Sequence, residues 1–283
     1  MGKSARQPDE REFAFSEKEF RFLVKLVSTS TGIVLAEHKK DMVYSRLARR
    51  LRALGMKAFS EYCDYLDSEE GAEEMGNLVN AITTNLTSFF RETHHFDHLR
   101  DNVVLPLELN PPEQKRLRIW SAGCSSGMEP YSIAMTVKHA LGNNIINWDV
   151  RILATDIDTN MLKNGEVGEY NASELTHIPN AYHKEIHKIA GKERIGMSDA
   201  LKKLIAFKAL NLLEPWPMSG PFDAVFCRNV VIYFDKPTQQ KLFNRIADLL
   251  TPRGWLYIGH SENLFKVCDR FELVGRTIYR RIK

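Results

Sequence analysis

From Arg116 onward, short apolar runs alternate with segments of helical spacing, and this alternation constrains the fold more than any other feature. Residues 118–122 read as a strand ending in Gly123-Cys124-Ser125-Ser126-Gly127. Pro130 suits a first helical turn, which continues through 131–141 until Gly142 closes it. Residues 150–154 form a second strand before Thr155-Asp156-Ile157-Asp158, and Thr159 opens another helix. Residues 222–227 are a third strand. Asp235 and Pro237 start a helix running to Leu250, stopped by Pro252 and Gly254. Residues 255–259 make a fourth strand, and 271–282 make one or two more. Such an order implies a mostly parallel sheet with helices on both faces. Ligands bind such sheets outside the carboxyl ends of the strands, where Gly123–Glu129, Asp156, Arg228, Asn229 and 260–262 converge. Residues 164–208 interrupt the alternation with a polar stretch between two strand-like runs. They read as a small inserted subdomain whose last strand delivers Asn211 and Leu212 to the sheet edge.

Residues 1–90 carry no strand-like alternation and read as a small helical domain, leaving 91–283 as the second domain. Ser16 with Glu19 makes a capping box before Phe20, Leu23 and Leu26. Residues 58–66 and 75–83 have helical apolar spacing, and 105–115, with three prolines, reads as a loop. Charge here is blocked. Residues 38–57 hold Lys39, Lys40, Arg46, Arg49, Arg50, Arg52 and Lys57 against the single acid Asp41, whereas 61–74 hold only acids among their charged residues. Val43, Leu47, Leu51 and Leu54 form one apolar helix face. Lys39, Arg46 and Arg50 fall within an arc of roughly 40° beside it, with Arg49 further round. The strip is either a solvated face neutralised by neighbouring acids or a dock for an acidic partner.

Composition removes several classes. With 283 residues, 43% of them hydrophobic, the chain can bury a sizeable core, which excludes global disorder. A net charge of +3 argues against a surface coated for nucleic acid. No apolar run reaches the roughly 18 residues of a membrane span, so membrane insertion is not expected. The start lacks the apolar stretch of a secretory signal. Cys63, Cys124, Cys227 and Cys268 are widely separated, without metal-ligand spacing, so reduced thiols, a cytoplasmic location and no metal are expected.

The turn after the first strand is G-x-x-x-G and not the G-x-G-x-x-G dinucleotide fingerprint. Its glycines still let backbone approach a ligand closely. Asp156, after the second strand, can accept both hydroxyls of a ribose. No Lys or Arg follows the first glycine turn to hold a pyrophosphate. An adenosine carrying a methionine tail meets this description better than a dinucleotide.

Five stretches then carry a resemblance: T-T-N-L-T-S-F-F-R-E (83–92), W-S-A-G-C-S-S-G-M-E-P-Y-S (120–132), T-D-I-D (155–158), F-D-A-V-F-C-R-N-V-V-I-Y-F (222–234) and G-H-S-E-N (259–263). Together with the basic helix of 38–52, they make the chain resemble the CheR-type chemotaxis methyltransferases over nearly its whole length. The resemblance implies a Rossmann-like S-adenosylmethionine-dependent domain behind a helical N-terminal domain. It also implies transfer of methyl groups to chemoreceptor glutamates, with S-adenosylhomocysteine as product. It places Asn85, Thr87, Arg91, Glu129, Asp156, Asn211, Leu212, Arg228 and Asn229 around the cofactor. Asp156 and the Asn211-Leu212 edge would hold ribose and adenine. Glu129 and residues 85–91 would lie nearer the methionine end. Met128 stands where family members commonly carry a polar or acidic residue.

A glutamate with a pKa of about 4.3 is already ionised at neutral pH, so the transfer needs no strong base. Arg91, with its planar fork, and Tyr233, with its hydroxyl, are the candidates for positioning the carboxylate. His260 reads as a helix-capping or ribose-side group. The acidic helices of chemoreceptors then name a partner for Lys39, Arg46, Arg49 and Arg50. Two other readings compete: a nucleic-acid methyltransferase, and an inactive adaptor that binds cofactor or receptor. The first usually carries an Asn/Asp-Pro-Pro-aromatic turn where this chain has Asn229-Val230-Val231-Ile232.

Overall fold

The computed structural model describes residues 11–283, which fall into two compact units dividing between Thr83 and Thr84. That division lies before the expected residue 90, because Phe89 and Phe90 are buried in the core of the second unit.

The first unit is helical: α1 (Glu17–Thr31), α2 (Lys40–Leu54), α3 (Phe59–Asp67) and α4 (Glu74–Ile82). The capping box starts α1 as expected. Ser16 Oγ accepts from Glu19 N at 3.3 Å, and the Glu19 carboxylate accepts from Ser16 N at 2.6 Å. Gly32 and Gly55, at φ 71° and 70°, end α1 and α2 in the left-handed region. The apolar faces of the four helices, with Leu23, Val27, Leu47, Leu51, Phe59 and Leu78 among them, share one core.

The second unit opens with α5 (His94–Leu99), which passes through a π turn at Arg100–Val104 into α6 (Leu105–Leu109). The segment expected as a loop is therefore helical at its start, with Pro106 near the start of α6, directly after the π turn in which Leu105 N donates to Arg100 O. The elements that follow are β1 (Arg116–Ala122), α7 (Met128–Leu141), β2 (Asp149–Asp156) and α8 (Thr159–Val167). Next come β3 (Glu169–Asn171), β4 (Ile186–Lys188), β5 (Arg194–Met197), α9 (Asp199–Lys202) and β6 (Ile205–Ala209). The chain finishes with β7 (Phe222–Cys227), α10 (Lys236–Leu249), β8 (Leu250–Ile258), β9 (Phe271–Gly275) and β10 (Ile278–Arg281).

Seven strands form one sheet in the order β6-β2-β1-β7-β8-β10-β9. The first five are parallel, and β10 runs antiparallel to both its neighbours. Alternate residues sort onto two cores. Ile119, Phe226 and Tyr257 pack with α5 and α7, whereas Trp120, Val225 and Leu256 pack with α10. The inserted subdomain is a small antiparallel sheet, β3-β5-β4, and β6 is the edge strand of the main sheet, as expected. Pro252 and Gly254 do not separate helix from strand: α10 ends at Leu249 and β8 begins at once. Leu250 pairs with Phe222 and Trp255 with Ala224, so 251–254 bulge out of the ladder.

Candidate active site

Strand order reverses at β1, which lies between β2 and β7, and this switch point opens a crevice at the carboxyl ends of the strands. The turn after β1 is tied to β2, since Gly123 N and Cys124 N both donate to Thr155 O, at 2.8 and 2.9 Å. Gly123 has φ 81°, and a Cβ there would lie 2.3 Å from Val230 Cγ2, so close packing as well as conformation requires glycine. Asp156, ending β2, accepts from Ser125 N (2.7 Å) on one carboxylate oxygen and from Asp158 N (2.9 Å) on the other. Burial pushes its carboxyl above the usual range, and these N–H groups oppose the shift. Helix capping falls to Asp158, whose Oδ1 accepts from Asn160 N and Met161 N. Asn85 joins the same corner, donating to Asp158 Oδ2 at 2.7 Å while its carbonyl accepts from Ser125 Oγ at 3.0 Å. Thr87 is half-buried nearby in sequence.

The loop after β6 is held from behind. The Leu212 carbonyl accepts from Trp216 Nε1 (3.2 Å) and from Arg245 (2.9 Å), and the Arg245 guanidinium stacks 3.8 Å from the Trp216 ring centroid. Asn211 Oδ1 accepts from Leu213 N at 3.0 Å.

After β7, Arg228 is buried between two acids, with its side chain 4% exposed. It donates to Glu129 Oε2 at 3.0 Å and to the Arg91 carbonyl, and lies 3.6 Å from Glu92 Oε2. Glu129 Oε1 accepts from Ser121 Oγ at 2.7 Å. Burial raises the Glu129 pKa, and the adjacent Arg228 cation works against that shift. Arg91 lies between Phe90 and Glu92, two residues at φ 49° and 59° in the region L side chains avoid. Its guanidinium donates to Leu86 O at 3.2 Å and is half exposed. Asn229 is also left-handed, at φ 59°, and Tyr233 ends a short turn, Val231–Tyr233, with its side chain half-buried.

The structure thus gathers Asn85, Glu129, Asp156, Arg228 and Arg91 along hydrogen-bond chains at the strand ends, with Asn229 following directly from Arg228. Sequence reasoning did not single out Glu92 or His95, and it placed Glu262 at the strand ends only as part of the 260–262 stretch. Glu262 accepts from three backbone N–H groups, and His95 is completely buried. Glu92 and Glu262 stand inside the diagnostic stretches, but their partners are distant in sequence. His260 neither caps a helix nor stands apart: its Nδ1 is 3.2 Å from Glu92 Oε1.

The basic strip of the first unit is divided. Arg46 donates to the carbonyls of Ile82 and Thr83, both at 2.6 Å, closing the end of α4. Arg50 holds the buried Glu74 through two bonds of 2.8 and 2.6 Å. Lys39 and Arg49 are exposed.

A doubly wound sheet with a tied glycine turn and a half-buried acid at the end of the next strand defines a Rossmann-like domain built around a nucleoside cofactor. Residues 85–280 match the CheR methyltransferase SAM-binding domain and residues 18–83 the CheR methyltransferase all-alpha domain. A probable chemotaxis protein methyltransferase of Rhizobium etli is 44% identical over 259 residues, covering 90% of this chain and 96% of that protein. Chemotaxis protein methyltransferase 2 of Pseudomonas aeruginosa is 44% identical, covering 95% of each chain. The Escherichia coli chemotaxis protein methyltransferase is 42% identical, covering 94% of this chain and 91% of that one. The chain belongs to the CheR methyltransferase family, and its cofactor is S-adenosylmethionine. The residues present fit that group. Asp156 spends one lone pair of each oxygen on backbone and keeps others for a diol, and no lysine or arginine lies in the glycine turn to demand a phosphate. Among the described residues, no helix is long and apolar enough to cross a membrane.

Proposed function

We propose that the chain methylates glutamate side chains on the cytoplasmic helices of chemoreceptors, forming methyl esters in chemotactic adaptation. The observation that carries this reading is the placement of Arg91. A half-exposed guanidinium stands on a turn of two left-handed residues whose backbone is gripped by Arg228. A strained turn of this kind persists only where surrounding contacts hold it, and it presents a planar cation fork suited to a carboxylate.

When bound, S-adenosylmethionine supplies an electrophilic methyl group on a sulfonium. Asp156 and the Asn211-Leu212 edge hold its ribose and adenine, and Asn85, Thr87, Glu129, Arg228 and Asn229 line the remainder of the site. The receptor glutamate arrives ionised, so no residue here has to remove a proton. Arg91 and the Tyr233 hydroxyl orient the attacking oxygen. Holding the reactants in line is worth up to roughly 7–11 kcal/mol, and exclusion of water favours a step in which opposite charges cancel. Lys39 and Arg49, with the partly engaged Arg46 and Arg50, bind the acids of the receptor helix.

The test is incubation of the purified protein with methyl-labelled S-adenosylmethionine and receptor-enriched membranes. Base-labile methyl ester on receptor glutamates is the expected product. Label in RNA, or cofactor binding without any transfer, would replace this reading with one of its two competitors.

A further inference from the structure

His94, His95 and Glu92 converge in the second unit, each placing one ligand atom within 4.8 Å of the others. Their hydrogen bonds decide which ring nitrogens carry protons. His94 Nε2 lies 2.9 Å from the Arg276 carbonyl oxygen, which can only accept, so this nitrogen donates. His95 Nε2 lies 3.0 Å from Thr277 Oγ1, and that hydroxyl gives its own proton to Arg276 O at 2.8 Å. With the hydroxyl proton so directed, His95 Nε2 donates as well. A neutral imidazole holds one such proton, which leaves Nδ1 of both rings as a bare lone pair.

His95 is completely buried, beside the Arg228 guanidinium. Its Nδ1 stands 3.6 Å from Glu92 Oε2, and neither atom has a hydrogen-bond partner. Two acceptors thus face each other across a buried gap with no proton between them. The Arg228 guanidinium lies 3.6 Å from Glu92 Oε2, beyond hydrogen-bond distance, so both lone pairs stay without a donor.

We propose that Glu92, His94 and His95 form a site for a divalent transition-metal ion of the zinc class. Zinc sits about 2.0–2.2 Å from nitrogen and oxygen ligands, which places tetrahedral donors roughly 3.3 Å apart, close to the 3.6 Å between His95 Nδ1 and Glu92 Oε2. Three protein ligands leave a fourth position for water beside the half-exposed His94. Arg276 O and Thr277 Oγ1 act as the outer partners that orient both rings. The charges nearby favour the ion: Glu92 and Glu129 outnumber the single cation Arg228, and His260 occupies only the other oxygen of Glu92. Cysteine spacing in the sequence carries no trace of this site, because none of its ligands is a cysteine.

Zinc ion titrated into the full chain, in competition with a chromophoric chelator, measures the site without reference to methyl transfer. One ion per chain is expected, and His94→Ala and Thr277→Val should each weaken binding about tenfold to a hundredfold. Both positions are partly solvent-exposed, and circular dichroism checks that each variant is folded. Cobalt bound in place of zinc should show ligand-field bands without a thiolate charge-transfer band. No competition with the chelator, unaltered affinity in both variants, or a thiolate band that assigns the ion to Cys268 would each overturn the proposal.

Discussion

Glu262 Oε2 accepts from the backbone N–H of Asn229 at 3.0 Å, and so binds the loop after β8 to the loop after β7. The same carboxylate accepts from Val231 N at 3.0 Å and Gly259 N at 2.6 Å. Burial raises its pKa, and these three donors oppose that rise. Replacing Glu262 by Ala strands three N–H groups in the interior, at about 1–3 kcal/mol each. Glu262→Ala should lower the unfolding free energy of the second unit by about 3 kcal/mol or more. Urea denaturation measures it, and a loss below about 1 kcal/mol would show that water replaces the carboxylate.

Arg91 and Tyr233 contribute little to the folded state, since one makes a single bond to Leu86 O and the other is half-buried. Arg91→Ala should lower kcat on receptor about a hundredfold, the scale of a misplaced reactant. Tyr233→Phe should lower it about tenfold, the value of one hydrogen bond to a charged group. Melting temperatures should stay near that of the parent protein. Near-normal turnover in both purified variants would remove these residues from the mechanism.

The parallel sheet, the capping box and the edge strand before Asn211 were legible because each has a local cause: apolar period, cap chemistry or glycine punctuation. The short helix α6 was not, because Pro106 and the two prolines that follow it at 111 and 112 imitate a loop. The site was legible as a set of strand-end residues. The pairing of Arg228 with Glu129, 99 positions away, and of Glu262 with Asn229, 33 away, arises only when strands distant in sequence become neighbours. Likewise, period alone placed Arg46 and Arg50 beside an apolar face but could not show that backbone carbonyls and Glu74 occupy them.

Glu74 makes the first unit sensitive to acid. Burial raises its pKa, but hydrogen bonds from Arg50, Asn77 and Tyr62 outweigh that, and the net shift is downward. A depressed carboxyl contributes stability that is present above its unfolded pKa, about 4.3, and is lost as pH falls through the lower folded value. The unfolding free energy should therefore decline below about pH 4.3, and Glu74→Gln should flatten that decline. Arg50→Ala strands a carboxylate that is 4% exposed and should cost about 3 kcal/mol at neutral pH. Equal slopes for parent and Glu74→Gln between pH 5 and pH 3 would refute the assignment (the range is set by that pKa of about 4.3).

The division of the basic strip separates binding from stability. Lys39 and Arg49 are exposed, so reversing both charges leaves the core of the first unit intact. Each exposed ion pair with an acidic receptor helix is worth about 0.2–1 kcal/mol. Reversal turns attraction into repulsion, and together Lys39→Glu and Arg49→Glu should raise the receptor KM about tenfold, more at low salt than at high. Calorimetry should find affinity for S-adenosylhomocysteine unchanged, since the cofactor site belongs to the second unit. Arg46→Ala, by contrast, uncaps the carbonyls ending α4 and should lower the melting temperature as well. An unchanged KM in the double reversal at low salt would leave the strip as a solvated face without a role in docking.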